Sequence, residues 1–112
     1  MRKGVMIAAV GEATTGLALL IDPSLVGLLL LGEALTGAAI PITRVAGIAL
    51  IALGSACWRN SPAVGMLTYS TVVTLYLAYL GLAGGLTGVL LWPAVAVHTV
   101  LSIVLARETR AA

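Results

Sequence analysis

The chain has 112 residues, of which 61% are hydrophobic and 9% charged, with a formal net charge of +2. Ten charged side chains cannot supply the polar surface of a soluble domain this size, so the apolar exterior needs lipid as its solvent. The basic residues lie at segment ends rather than along a stripe, which excludes nucleic-acid binding and suits orientation in a bilayer.

In chain order, Met1-Arg2-Lys3 and the apolar run behind it resemble a signal peptide. Glu12 interrupts that run and more apolar segments come after it, so residues 4–21 are expected to be a retained first transmembrane helix. Asp22-Pro23-Ser24 then makes a turn, with Asp22 or Ser24 able to cap the next segment. Residues 24–35 are apolar, carry Glu33 and are too short to span, which predicts a short interfacial or re-entrant helix. Thr36-Gly37 breaks it, and Pro41 favours a helix start.

A second span is expected over residues 39–58, closed by Arg59-Asn60-Ser61-Pro62, and a third over 63–82. Gly84-Gly85 marks a turn before a fourth span over 86–106, with Trp92-Pro93 near its start. The expectation is an all-α membrane protein: one polytopic domain over residues 1–112, with four transmembrane helices and the short helix between the first two.

Basic residues test the orientation. With four spans and the N-terminus inside, Arg2, Lys3, Arg59, Arg107 and Arg110 are cytoplasmic and only Arg44 falls near the outer side. A fifth span between residues 24 and 40 would spoil that asymmetry, so both termini are expected in the cytoplasm. One internal echo is visible: GEATTG at 11–16 and GEALTG at 32–37. Gly, Ala, Leu and Thr dominate the chain and the flanks do not continue the match, so coincidence outweighs a duplicated ion site.

Polar residues inside the apolar segments carry the most information. Glu12 lies about 12 Å from the inner end of its helix, and His98 about 13 Å from the inner end of the fourth, at 1.5 Å per residue. Matched depth makes them natural partners, and a Glu–His pair stays hydrogen-bonded whichever residue holds the proton. Ala8, Glu12 and Gly16 share one face, as do Ala94, His98, Ser102 and Ala106, and the two small-residue faces are predicted to pack together. Ser70, Thr71, Thr74 and Ser102 are candidate supporting hydroxyls, with Tyr69, Tyr76 and Tyr79 along the same third helix as the first three. The pair reads either as glue fixing helix register or as a proton or cation path with Glu12 as the titrating group.

At the outer side Asp22, Glu33 and Arg44 suggest an interfacial ion pair that anchors the short helix, in preference to an anion site. Trp58 and Trp92 fall near span ends, as an aromatic belt requires. Cys57 is the single cysteine, so it makes no intrachain disulfide and no cysteine metal cluster, and it reads as a small apolar filler. No GxSxG, HExxH, CxxC or P-loop pattern occurs, nor a His pair spaced for haem or metal. No catalytic residue, cofactor or metal site is expected.

The ordered pattern of GEATTG at 11–16, LLIDP at 19–23, RVAGIAL at 44–50, Cys57-Trp58 and LLWPAVAVH at 90–98 resembles uncharacterised small bacterial integral membrane proteins of four helices. The resemblance runs over nearly the whole chain. It implies a bacterial inner-membrane location and the four-helix layout, and it carries no activity. The small multidrug transporters share the helix number, the length and a first-helix Glu. Their third-helix aromatic pattern is missing here, since Tyr69, Tyr76 and Tyr79 occur without a Trp.

The functional expectation is a non-enzymatic accessory or structural component of the inner membrane or of a membrane complex. Its partners are the bilayer and another membrane protein or a homo-oligomer. The alternative is an oligomeric proton-linked transporter or channel using Glu12 with His98.

Overall fold

The structure, a computed structural model, describes residues 3–85 and 88–111. Helix α1 covers Lys3–Ile21 and stops where the chain meets Pro23, whose ring disfavours helical backbone at the residue before it. Asp22 accordingly leaves the helical region, with φ −143° and ψ 75°. Its carboxylate accepts from the Leu25 amide at 3.2 Å, capping α2, Pro23–Leu31, with Pro23 in the first turn.

Helix α2 ends sooner than the expected residue 35. Gly32 takes the left-handed conformation, φ 83°, and its N–H bonds back to the Leu28 carbonyl at 3.1 Å, a glycine stop. Glu33 therefore lies beyond the helix, on an exposed segment. That segment folds back on α2: Ser24 Oγ donates to the Leu35 carbonyl at 2.9 Å, and Gly27 leaves room for the Leu35 side chain.

The echoed hexapeptides part company here. GEATTG is entirely helical within α1, whereas GEALTG is a helix terminus and turn with positive φ at both Gly32 and Gly37.

Helix α3 spans Ala39–Arg59 and α4 spans Pro62–Tyr79, the latter continuing through one π-helical turn, Leu80–Gly84. Only Asn60 and Ser61 separate α3 from α4. Asn60 is left-handed at φ 53°, which its short polar side chain tolerates. Ser61 Oγ accepts from the Val64 amide at 3.2 Å and Pro62 opens the helix. So short a link forces antiparallel neighbours.

Helix α5 runs Leu91–Ala111, shifted five residues later than the expected 86–106 at both ends. A start at 86 would put Pro93 in the helix interior; a start at Leu91 puts it in the first turn, where no N–H is needed. Arg107 to Arg110 prolong the helix past the apolar segment, because helical hydrogen bonds do not end where hydropathy does. Residues 86 and 87, the expected beginning of this span, lie outside the described residues, as do Met1, Arg2 and Ala112.

The protein is all-helical among the described residues, and α1, α3, α4 (with its π turn) and α5 are each long and apolar enough to cross a membrane. They stand in a row, α1–α3–α4–α5, each packed on the next in antiparallel fashion, with α2 touching α1 and α3. The result is a slab of 40 × 33 × 15 Å. Its radius of gyration, 15.2 Å, exceeds the about 13 Å of a compact soluble chain this long.

Glycine sets the spacing. An added Cβ at Gly16 would lie 2.5 Å from the Gly47 carbonyl oxygen, and one at Gly54 would lie 2.8 Å from that of Ala9. Two small residues seven apart on α1 thus meet two glycines seven apart on α3, and the backbones touch. Gly65 gives α4 the same close approach to Ala52 and Ala56 of α3.

Candidate functional site

Glu12 projects from α1 beside the α3 contact and is half-buried. It makes no hydrogen bond or ion pair among the described residues. His98 lies on α5, half-buried, with its ring 6.0 Å from that of Tyr69 on α4. Nδ1 is 2.9 Å from the Ala94 carbonyl, so this nitrogen carries a proton and a neutral ring leaves its lone pair on Nε2. Nε2 has no hydrogen-bond partner among the described residues.

α3 and α4 stand between the helices that bear Glu12 and His98, so the structure does not bring the two together within one chain. The small-residue stripes find other neighbours. Gly16 packs on Gly47 of α3, while Ala94, His98, Ser102 and Ala106 are the half-buried side of α5, toward α4. Helices joined by tight links dock on their chain neighbours, and residue periodicity identifies a packing face without naming its partner.

The candidate hydroxyls on α4 and α5 do not bond to one another. Ser70 is fully buried, and Thr74 and Ser102 are half-buried. Thr71 is exposed on the other side of α4. Thr74 Oγ1 donates to the Ser70 carbonyl at 2.6 Å and Ser102 Oγ to that of His98 at 2.7 Å, each one turn back on its own helix.

Ser70 Oγ has no hydrogen-bond partner among the described residues. A buried hydroxyl without one is destabilising, so Ser70→Ala is expected to raise stability by about 1 kcal/mol in a detergent unfolding assay. A loss of the same size would show that Ser70 serves a polar contact the fold needs.

Asp22, Glu33 and Arg44 do not form the expected ion pair. Arg44 Nε donates to the Leu20 carbonyl at 3.2 Å, closing the C-terminal turn of α1, while Asp22 caps α2 and Glu33 is exposed. A free helix-end carbonyl bears partial negative charge, so it competes with a solvated carboxylate for the guanidinium. Trp58 is half exposed at the end of α3, and the Trp92 ring lies against Gly81 in the π turn. Tyr69 emerges as the side chain beside His98, which spacing along α4 alone did not single out.

Two grooves lie on opposite faces of the slab. One, about 410 Å³, is lined by Ala49, Leu53, Met66 and Tyr69 among others. The other, about 380 Å³, includes Val10, Ala13, Ser55 and Thr68. Neither includes Glu12 in its lining. Among the described residues no group of three or more His, Cys, Asp or Glu could hold a metal ion. No family model, no curated protein and no solved structure matches the chain.

Proposed function

We propose that the protein is a small non-enzymatic component of the bacterial inner membrane, with both ends in the cytoplasm, that works by packing against another membrane protein chain. The slab carries this reading. Among the described residues only Ala9, Ile48, Ala52 and Val73 form a buried apolar core, and large side chains such as Leu29, Leu82 and Val100 stand on the outside. Four helices in one layer enclose no path of their own and leave two broad faces for helix–helix contact. Glu12, with no hydrogen-bond or ion-pair partner among the described residues, supports the same reading, because a carboxylate at this depth needs a polar neighbour.

The test is extraction in a mild detergent followed by mass measurement of the particle. The expected result is an assembly of fixed stoichiometry heavier than one chain. A single chain in both detergent and vesicles overturns the proposal. So does proton flux in vesicles holding this protein alone, if Glu12→Gln abolishes it while leaving the fold intact.

A further inference from the structure

We propose that the partner is a second copy of this chain, packed face to face about a two-fold axis parallel to the helices, and that Glu12 of each copy pairs with His98 of the other. The inference rests on the assembly reading above and identifies its partner. Four observations lead to it.

Glu12 and His98 Nε2 each lack a partner among the described residues. They are also chemically complementary. With Nδ1–H held by Ala94, Nε2 accepts a proton from the carboxylic acid, or carries one and donates it to the carboxylate. Either proton position leaves both groups bonded, which is what an intramembrane polar pair requires.

Their depths match. Lys3 to Glu12 and His98 to Arg107 are each nine residues, or about 13 Å, from the same end of the antiparallel row.

They also share a face of the slab. In α1, Val10 and Ala13 line the groove on one face, with Ser55 and Thr68. Helical rotation of 100° per residue puts Glu12 on the opposite side of the line through Ala9 and Gly16 that meets α3. The groove on that opposite side is bordered by Tyr69, the neighbour of His98.

The row order supplies the geometry. A two-fold axis parallel to the helices reverses the order of the facing row without shifting it in depth. α1 then stands opposite the partner copy's α5, twice, in a closed and self-complementary interface. Between the two pairs, exposed Ala46 and Ala49 of α3 allow the layers close approach.

The test is fluorescence energy transfer between end-labelled copies in lipid vesicles. Wild-type chains are expected to associate, and Glu12→Gln or His98→Asn alone is expected to weaken association about tenfold. Mixing the two variants is decisive. Their heterodimer keeps one wild-type Glu12 facing one wild-type His98, whereas neither homodimer keeps any such pair. The mixture is therefore expected to recover association above either variant alone.

Helicity and thermal unfolding of each variant, measured alongside, show that the chains are folded. Folded variants that associate like wild type, or a mixture no better than its components, overturn the pairing. Wild-type chains that stay single with one another but purify in a fixed ratio with a different membrane protein overturn this inference and leave the assembly reading standing. Chains that stay single in every setting overturn both.

Discussion

Gly47→Leu is expected to lower stability by about 3 kcal/mol or more and to detach α1 from α3. A Cβ at Gly47 would lie 2.6 Å from the Gly16 carbonyl oxygen and 3.1 Å from Leu19 Cβ. The first of these is backbone, so no rotamer change relieves the clash and the helix itself must move. Gly16→Leu is the reciprocal change, with its Cβ 2.5 Å from the Gly47 carbonyl, and should behave alike.

Gly11→Leu is the control. It lies on the same helix with nothing within 4 Å of an added Cβ, and its unfolding midpoint should stay near wild type. Unfolding in a fixed detergent, followed by tyrosine and tryptophan fluorescence, reads all three. Equal midpoints for Gly47→Leu and Gly11→Leu would show that the two backbones do not meet at this crossing.

The second large effect concerns Arg44, whose replacement by Met should cost about 2 kcal/mol, the scale of a hydrogen bond with a charged donor. The loss falls at the end of α1, where the Leu20 carbonyl is left without its donor. Arg44→Lys should recover part of it, since an ammonium also donates but lacks the planar fork of the guanidinium.

The carboxylates discriminate between this arrangement and an ion pair. Glu33→Gln should change stability by less than about 0.5 kcal/mol, as for an exposed surface group. Asp22→Asn should be nearly neutral too, because Asn caps a helix about as well as Asp. A penalty for Glu33→Gln as large as that for Arg44→Met would instead mean that Arg44 spends its charge on Glu33.

These two sites show where reading along the chain succeeds and where it stops. Asp22-Pro23 and Asn60-Ser61-Pro62 announced helix boundaries that the structure reproduces, because capping and proline geometry act over three or four neighbouring residues. Pro93 carried equally local information, and placing it in a first turn would have moved the start of α5 to where it lies. Gly32 was a stop signal as strong as Thr36-Gly37, one turn earlier. Ala9 with Gly16 and Gly47 with Gly54 also stood in the sequence at matching intervals. Their significance depends on two segments meeting in register, which neither segment specifies alone.

By itself, the sequence determined four apolar helices of spanning length, the short helix after the first and the distances of Glu12 and His98 along their helices, since each is a consequence of composition, local capping and a rise of 1.5 Å per residue. Only the tertiary structure decided that these helices form a row. Hydropathy reports that a face avoids water, and in lipid every apolar face does so equally. Which faces meet is therefore settled by backbone clearance at Gly16, Gly47, Gly54 and Gly65 and by the tight turns between neighbours. That choice placed Glu12 and His98 on helices that do not touch, and turned a pair inside one chain into a pair proposed between two.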